Sequence, residues 1–355
     1  MSKPVGATCN LKCDYCYYLH NRNEKPQIMS DELLERFINQ YIEAQSMPQV
    51  LFTWHGGEPM LRGIEFYKKV LQLEEKHAHG KIIDNVLQTN GILMTEEWAE
   101  FLHDNGFLVG ISIDGPEEYH NAHRGHSFHQ VMNAIEILTK YDVMWNAMAV
   151  ISNTNAVHPK EVYKFFKDIN AKYIQFTPLV RTNYLTNGFN GAIDPLLWGY
   201  FLCEVFDEWV KSDVGEYFIE IFDATLANWM GETPSPCCFA PTCGQAGIME
   251  YNGDVYSCDH FVYPKYKLGN IKDNTFIEMM FGRQQKEFGM NKWNTLPEKC
   301  KKCKYLFACN GECPKNRYTA NENGETGLNY LCEGYYKYFE HVAPFMDSMQ
   351  IIDVC

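Results

Sequence analysis

Three cysteines near the start of the chain constrain it more than any other feature. Cys9, Cys13 and Cys16 lie within eight residues, in the spacing CxxxCxxC. Three closely spaced thiolates can bind three irons of a cubane [4Fe-4S] cluster and leave the fourth iron open to another ligand. A structural zinc site normally takes a fourth protein ligand as well. The triplet therefore favours an iron–sulfur cluster over zinc.

Composition narrows the classes of function. The 355 residues suffice for one large domain, or for one with a smaller companion. A net charge of −14 argues against nucleic acid and anionic membranes as partners, and no apolar run is long enough to span a bilayer. Fourteen cysteines without a recognisable secretory signal favour metal binding over disulfides. We therefore expect a cytoplasmic protein, and an exposed iron would favour an anaerobic host.

The first half of the chain alternates between strand and helix patterns. Such βα alternation predicts a parallel sheet with right-handed crossovers. Six units predict an α/β fold, a partial (β/α)6 TIM-like barrel. The predicted strands are Val5–Thr8, Val50–Trp54, Asn85–Gln88, Leu108–Ile113, Trp145–Ile151 and Tyr173–Thr177, and the predicted helices between them are Asp31–Ala44, Ile64–His77, Glu96–Asn105, Phe128–Tyr141 and Lys160–Ile169.

Several polar or glycine-rich motifs fall where these predicted strands end. In barrels of this kind the chemistry lies at the carboxyl ends of the strands. Gly56-Gly57-Glu58-Pro59 follows one strand, and Gln88-Thr89-Asn90-Gly91 follows the next. Glycines allow the backbone to approach a ligand closely, and Glu58 adds a carboxylate that can hold an ammonium group. These motifs predict one site on one rim of the barrel.

A second group of cysteines occupies the last third of the chain. Eight thiols can be divided into two sets of four, enough to coordinate two further cubanes. Two zinc sites of four cysteines each are the alternative. Cys238 is an alternative to its neighbour Cys237. The eight residues are Cys237, Cys243, Cys258, Cys300, Cys303, Cys309, Cys313 and Cys332.

These motifs together resemble those of a known family. The CxxxCxxC triplet and the GGEP motif resemble those of radical S-adenosylmethionine (SAM) enzymes, and the cysteine-rich tail resembles a SPASM domain. Over nearly the whole chain, and most specifically at Tyr256-Ser257-Cys258-Asp259, the sequence is similar to the anaerobic sulfatase-maturating enzymes. The resemblance implies SAM and three [4Fe-4S] clusters as cofactors.

The resemblance also implies roles for single residues. Gly56, Gly57 and Glu58 would hold the SAM amino group, while Ser112 and Arg124 would contact its carboxylate. A guanidinium matches a carboxylate in a bidentate geometry. The implied cluster ligands are Cys9, Cys13 and Cys16 for the SAM-binding cluster, Cys237, Cys243, Cys258 and Cys313 for one auxiliary cluster, and Cys300, Cys303, Cys309 and Cys332 for the other.

Asp259 is the implied base of the reaction, and Tyr18 is a second candidate. A carboxylate beside an anionic cluster has reason to bind a proton more tightly, which suits a base. The alternative for Asp259 is a turn residue that caps backbone amides.

The family resemblance implies an oxidation of a sulfatase Cys or Ser to Cα-formylglycine. A 5′-deoxyadenosyl radical would abstract hydrogen from Cβ of that residue. The expected partners are an unfolded or nascent sulfatase polypeptide and a flavodoxin- or ferredoxin-like electron donor. A rival hypothesis keeps the radical but makes the protein a SPASM-type maturase that forms crosslinks in a ribosomal peptide.

The expected domain organisation follows from these patterns. Residues 1–181 would form the radical SAM core and residues 182–234 a helical connection. Residues 235–340 would form the SPASM domain, and residues 341–355 a C-terminal tail.

Overall fold

The computed structural model describes residues 1–18, 21, 27–180, 191–244 and 246–352. Its strands, in chain order, are β1 (Ser2–Lys3), β2 (Gln49–Trp54), β3 (Ile82–Thr89), β4 (Leu108–Ser112), β5 (Trp145–Ile151), β6 (Tyr173–Pro178), β7 (Phe218–Ile219), β8 (Ile248–Glu250), β9 (Asp254–Tyr256), β10 (Lys267–Asn270), β11 (Thr319–Ala320) and β12 (Thr326–Leu328). Its helices are α1 (Asp31–Ala44), α2 (Ile64–His77), α3 (Glu96–Asp104), α4 (Glu117–His123), α5 (Phe128–Lys140), α6 (Pro159–Asp168), α7 (Pro195–Ser212), α8 (Glu220–Trp229), α9 (Phe276–Met280), α10 (Arg283–Asn294), α11 (Glu298–Lys301), α12 (Leu306–Cys309) and α13 (Cys332–Ile352).

The chain forms two compact units, each assembled from separate segments. The first unit comprises Met1–Ile113, His123–Asn146 and Gln245–Glu287. The second comprises Asp114–Ala122, Ala147–Gly244 and Phe288–Cys355. The domain boundaries expected from sequence stay predictions, and the one between residues 181 and 182 lies outside the described residues.

The first unit is built on parallel strands. Strands β1, β2, β3 and β4 pair in that order and all run parallel. On its other side β1 pairs in parallel with β8, and β9 and β10 continue the sheet as antiparallel neighbours. The α/β class with a parallel sheet is therefore confirmed. The pairing of β1 with β8 also brings the first residues of the chain beside a segment about 250 positions later.

The second unit combines parallel strands with aromatic-rich helices. Strands β5, β6 and β7 run parallel. Helix α13 packs along α7, and Gly199 and Gly334 allow this contact because a side chain on either would meet the other helix's backbone within 3 Å. Trp198, Phe201 and Tyr338 are fully buried. Large apolar side chains thus form the core of this unit.

Local sequence signals account for several helix ends. Ser30 caps α1 by accepting a hydrogen bond from the backbone N–H of Leu33, and Thr95 caps α3 through the N–H of Trp98. Such caps satisfy N–H groups that lack a partner in the first helical turn. Gly106 follows α3 with a positive φ of 64°, a conformation that favours glycine.

The first predicted strand was wrong, whereas the other five were confirmed within a few residues. The extended residues are Ser2–Lys3, and the chain then turns at Pro4 and Gly6, whose φ is 52°. The turns are closed by hydrogen bonds from the Gly6 N–H to Lys3 and from the Thr8 N–H to Val5. A proline and a left-handed glycine interrupt the extended backbone that the apolar residues alone suggest.

Candidate active site

The cysteine triplet lies in the loop that follows β1 in the first unit. Cys9, Cys13 and Cys16 are each partly buried. The Cys16 N–H donates to the Cys13 carbonyl over 3.2 Å, which closes the CxxC turn. A turn of this kind holds two thiols on one side of the backbone, as a shared cluster requires.

Two N–H donors point at the sulfur of Cys9. The backbone N–H of Leu11 lies 3.3 Å from this sulfur, and the Asn90 side-chain amide lies 3.7 Å from it. Asn90 also donates to the Asn10 side chain over 2.7 Å. Hydrogen bonds to a ligating sulfur are among the factors that set the potential of an iron–sulfur cluster. The sequence predicts Asn90 on the rim of the barrel, but no motif assigns it a role.

The GGEP loop docks on the triplet loop through its backbone. Gly57 N–H donates to the Gly6 carbonyl, and Glu58 N–H donates to the Thr8 carbonyl, each over 2.8 Å. A Cβ atom at Gly57 would lie 1.9 Å from the Thr8 carbonyl oxygen. Only glycine permits this approach.

The carboxylate of Glu58 is fully buried and bonded to protein donors. It accepts hydrogen bonds from the Met60 N–H, the Thr89 hydroxyl and the Asn90 N–H, at 2.8 to 3.0 Å. Burial raises the pKa of Glu58 to about 7. The three hydrogen bonds oppose this shift, because they favour the ionised carboxylate. The carboxylate therefore connects the GGEP loop to the end of β3. Its expected contact with an ammonium group stays a prediction.

Arg124 lies against the triplet loop, while Ser112 ends β4. The Arg124 guanidinium carbon lies 5.4 Å from the ring centroid of Tyr15, between two of the cysteines. Backbone contact reinforces this position, since the Asp14 N–H donates to the His123 carbonyl over 3.2 Å. The structure thus places Arg124 at the triplet loop, as a cation–π neighbour of its tyrosine. The expected contacts of Arg124 and Ser112 with a carboxylate stay predictions.

Asp259 is bound by two groups from the start of the chain. The Lys3 ammonium lies 2.5 Å from one carboxylate oxygen, and the Tyr17 hydroxyl donates to the other over 2.5 Å. Tyr17 directly follows Cys16, so the bond ties Asp259 to the triplet loop. The sequence gives no sign of either partner, because Lys3 and Tyr17 belong to no motif that indicates a role.

The side chains around Asp259 change its expected proton affinity. Burial by itself raises the pKa of the carboxyl, but the neighbouring Lys3, His55 and His260 outweigh it and hold that pKa well below its usual range. The sequence argument expected tighter proton binding, and these residues act in the opposite direction. Asp259 is therefore ionised and able to accept a proton, and its lowered pKa makes it a weaker base than the sequence predicted.

Tyr18 has a different partner. Its hydroxyl donates to Glu250 at the end of β8, and its ring lies 3.4 Å from the Lys3 ammonium. Burial, and then the Glu250 charge, raise the pKa of Tyr18 far above its ordinary value. Tyr18 thus retains its proton, and this arrangement favours Asp259 as the proton acceptor.

His55, next to the GGEP motif, is a further polar group of this site. Its Nδ1 atom is buried and has no hydrogen-bond partner among the residues that the structure describes. Burial lowers the pKa of His55 to about 4, so the ring is neutral near pH 7. A neutral, unpaired ring nitrogen beside Asp259 can bind a polar group of a ligand.

In the second unit, one predicted cluster set lines a single cavity. Its volume is about 150 Å³. Burial raises the pKa of the Cys300 thiol to about 11, as expected for an anion facing an apolar wall. The lining includes Cys300, Cys303, Cys309 and Cys332, together with Tyr305, Leu306, Tyr335, Tyr336 and Phe339.

The other predicted set is divided between the two units. Cys237, Cys243 and Cys313 belong to the second unit, and Cys258 to the first. The buried Lys292 ammonium donates to the carbonyls of Cys237 and Cys238 over 2.7 Å each, which anchors the double-cysteine turn. Cys237 is exposed and Cys238 is partly buried, so the choice of ligand between them stays a prediction.

The arrangement of these cysteines bears on the zinc alternative. Within the described ranges, no group of three or more His, Cys, Asp or Glu side chains is arranged to hold a metal ion. A single zinc ion needs four ligand atoms converging to about 2.0–2.3 Å. A cubane binds each thiolate at a different iron, so a set of four thiols that lines one cavity fits a cubane.

Comparison with known proteins gives consistent matches. The radical SAM superfamily matches residues 4–176, and the iron–sulfur cluster-binding domain SPASM matches residues 237–304. The chain is 56% identical to a serine-type anaerobic sulfatase-maturating enzyme of Bacteroides thetaiotaomicron, over 99% of this chain and 90% of the relative.

Two further matches are also to anaerobic sulfatase-maturating enzymes. A cysteine-type anaerobic sulfatase-maturating enzyme of Clostridium perfringens is 37% identical over 96% of this chain and 95% of its own. The solved structure of native anSMEcpe with bound AdoMet and the Cp18Cys peptide superposes with a TM-score of 0.90, at 36% identity and 98% coverage of both chains.

Proposed function

We propose, since this chain belongs to the anaerobic sulfatase-maturating enzymes of the radical SAM superfamily, that it oxidises a serine of a sulfatase polypeptide to Cα-formylglycine. The 56% identity to a serine-type relative supports serine as the substrate residue. The observation that carries the assignment of residues is the bond between Tyr17 and Asp259, because it joins the triplet loop to the predicted base. The crosslinking alternative is not favoured by full-length matches to sulfatase maturases.

The residues of the first unit fit the cofactors of this family. Cys9, Cys13 and Cys16 would hold the SAM-binding [4Fe-4S] cluster, while the GGEP loop and Arg124 would bind the amino and carboxylate groups of SAM. When bound, these groups supply a 5′-deoxyadenosyl radical that removes a hydrogen from Cβ of the substrate residue. Glu58 shapes the loop by holding the Thr89 hydroxyl and the Asn90 N–H.

Asp259 would accept the proton of the serine hydroxyl. Conversion of a serine side chain to an aldehyde removes two hydrogens, one from Cβ and one from the hydroxyl. The hydrogen of Cβ leaves as an atom, and the remaining carbon radical must then lose one proton and one electron. The ionised Asp259, oriented by Lys3 and Tyr17, would accept the proton, and an auxiliary cluster held by the later cysteines would accept the electron. The Asp259 side chain is only 17% exposed. An unfolded or nascent polypeptide would reach such a carboxylate more easily than a folded sulfatase domain, and it is the substrate form that we propose.

The cysteines of the second unit would hold auxiliary clusters. Cys300, Cys303, Cys309 and Cys332 already surround one cavity. A flavodoxin- or ferredoxin-like protein would supply electrons, and the cytoplasm would be the compartment. Across the described residues no helix has the length and apolar character to cross a membrane.

The test uses anaerobically reconstituted protein with SAM, a strong reductant and sulfatase-derived peptides. Three peptides of the same sequence carry Ser, Cys or Ala at the target position and contain no other cysteine. We expect a loss of about 2 Da from the Ser peptide, together with an aldehyde that reacts with a hydrazine, and 5′-deoxyadenosine. A Cys peptide that loses about 18 Da while the Ser peptide is unchanged would contradict the serine assignment. Deoxyadenosine without change in either peptide would contradict the proposed substrate.

A further inference from the structure

The segment between Cys309 and Cys313 has an unusual backbone. Its three residues, Asn310, Gly311 and Glu312, all have positive φ values, of 48°, 69° and 52°. Consecutive left-handed residues turn successive carbonyl groups toward one side, and for residues other than glycine this conformation is costly. Something must hold the segment in this shape.

The Arg317 guanidinium binds all three of those carbonyls. Its Nε donates to Gly311 over 2.8 Å, and its Nη2 donates to Asn310 and Glu312 over 2.9 and 3.0 Å. Nη1 donates to the carbonyl of Lys292 over 2.5 Å. A planar guanidinium offers five donors in a fixed fork, a geometry that lysine lacks.

The bound segment joins the two predicted auxiliary sets. Cys309 at its start belongs to the set around the cavity, and Cys313 at its end belongs to the other set. Arg317 interacts electrostatically with Cys300 and Cys309 on one side, and with Cys313 on the other. One fixed positive charge therefore lies close to thiols of both sets.

We propose that Arg317 is a positioning residue shared by both auxiliary cluster sites, fixing the Cys309–Cys313 segment and placing a partly buried positive charge beside each. This inference rests on the proposed assignment of auxiliary clusters. Reduction adds negative charge to a cluster, and a nearby cation in a poorly solvated region stabilises that charge. Arg317 thus raises the reduction potentials of both clusters together.

The test compares Arg317→Met and Arg317→Lys with the unaltered protein and with Lys299→Gln. Lys299 also lines the cavity of Cys300 and Cys332, but its side chain is 42% exposed and paired with Glu322. Water screens such a charge. The readouts are iron and sulfide per chain and the midpoint potentials of the auxiliary clusters, followed by electron paramagnetic resonance.

We expect Arg317→Met to affect both auxiliary sites. Either its iron content falls to roughly one third, the share of one cluster in three, or both potentials fall if the iron is retained. Arg317→Lys should lie between Arg317→Met and the unaltered protein, and Lys299→Gln should match the latter. Loss or shift at one site only, or full iron with unchanged potentials in Arg317→Met, would overturn the inference. Unaltered protein with iron for one cluster alone would instead refute the cluster assignment.

Discussion

The two units bury their reactive groups in different ways. In the first unit the triplet cysteines are partly exposed, and buried charges surround them, with Lys3 between Asp259 and Glu250. In the second unit the cavity of Cys300 and its partners is walled by tyrosine, leucine and phenylalanine. The first arrangement can move protons and admit a ligand. The second excludes water around thiols and suits a site that handles electrons alone.

The same contrast holds for the cations of the two units. Lys3 contacts carboxylates, whereas Lys292 and Arg317 contact backbone carbonyls near cysteines. A cation beside a carboxylate sets the charge state of that carboxylate, while a cation bound to carbonyls holds a loop in shape. Substituting these groups one at a time separates the two roles.

The largest expected effect follows from Asp259→Asn. An amide cannot accept the substrate proton, so formylglycine formation should fall by about 10²–10⁴-fold, while 5′-deoxyadenosine formation continues. Chromatography of the formylglycine peptide and of 5′-deoxyadenosine measures the ratio of the two products. The matched control is Asp254→Asn, which removes a carboxylate of β9 that pairs with Lys267 over 2.7 Å. Equal loss in both variants would show a structural role for Asp259.

Next in size is Lys3→Met, which leaves two carboxylates of the first unit without their shared cation. Removing one partner of a buried ion pair costs about 3–5 kcal/mol, and Lys3 is completely buried. We expect lower stability in urea unfolding and poorer coupling of deoxyadenosine to product. Lys3→Arg should restore part of both. The exposed pair of Lys76 and Glu35 provides the control, since Lys76→Met should change little. If Lys3→Met formed as much product per deoxyadenosine as the unaltered protein, Lys3 would have no role in the reaction.

Gly57→Ala tests the backbone contact between the GGEP and triplet loops. The added methyl group would lie 1.9 Å from the Thr8 carbonyl, so the loops must separate. We expect SAM affinity to fall by about 10–100-fold, or about 1.4–2.7 kcal/mol, measured by equilibrium dialysis.

Gly63→Ala is the control for that variant. Gly63 also has a positive φ, of 72°, but no atom lies within 4 Å of the added carbon. Its cost should be the backbone strain alone, about 1–3 kcal/mol of stability, without loss of SAM affinity. Equal SAM affinities in the two variants would contradict the steric argument.

The smallest expected effect on activity concerns Glu74 in α2, a buried carboxyl outside the site described above. Its Oε2 accepts a hydrogen bond from Asn85 over 2.8 Å, and burial raises its pKa to about 8. The folded chain thus keeps a proton that the unfolded chain loses near the ordinary value of 4.5. This contribution to stability is present at low pH and declines as the pH rises toward 8.

Glu74→Gln should remove that dependence. At pH 8 the variant should be more stable than the unaltered protein by about 4 kcal/mol, and at pH 5 by less than about 1 kcal/mol. Urea unfolding at both pH values measures the difference. The exposed Glu65→Gln is the control and should leave the pH profile unchanged. If the free energy of unfolding of Glu74→Gln changed with pH as that of the unaltered protein does, Glu74 would be ionised in the folded chain.

Much of the framework could be predicted from local patterns. Strand β5 and helices α1 and α2 have the bounds that periodicity predicted, because apolar spacing and caps act within one element. The first strand was misjudged because Pro4 and Gly6 turn the chain in a stretch that is otherwise apolar. Local composition alone does not show whether the apolar residues form a strand or the proline and glycine form a turn.

Other parts of the site had no local signal. Lys3 and Tyr17 meet Asp259 across more than 240 positions, and only the pairing of β1 with β8 brings them together. Arg317 likewise gains its role from three carbonyls that converge because of their left-handed backbone. Neither contact is encoded in residue spacing.

The sequence by itself determined the chemistry that this protein can carry. The spacing CxxxCxxC, the GGEP motif and the eight later cysteines specify iron–sulfur and SAM binding, because ligands a few residues apart are set by the local backbone. Tertiary structure alone decided the charge state of Asp259, the different partners of Tyr17 and Tyr18, and the position of Arg317. Those properties depend on burial and on charges from distant parts of the chain, and both arise only when the chain is packed.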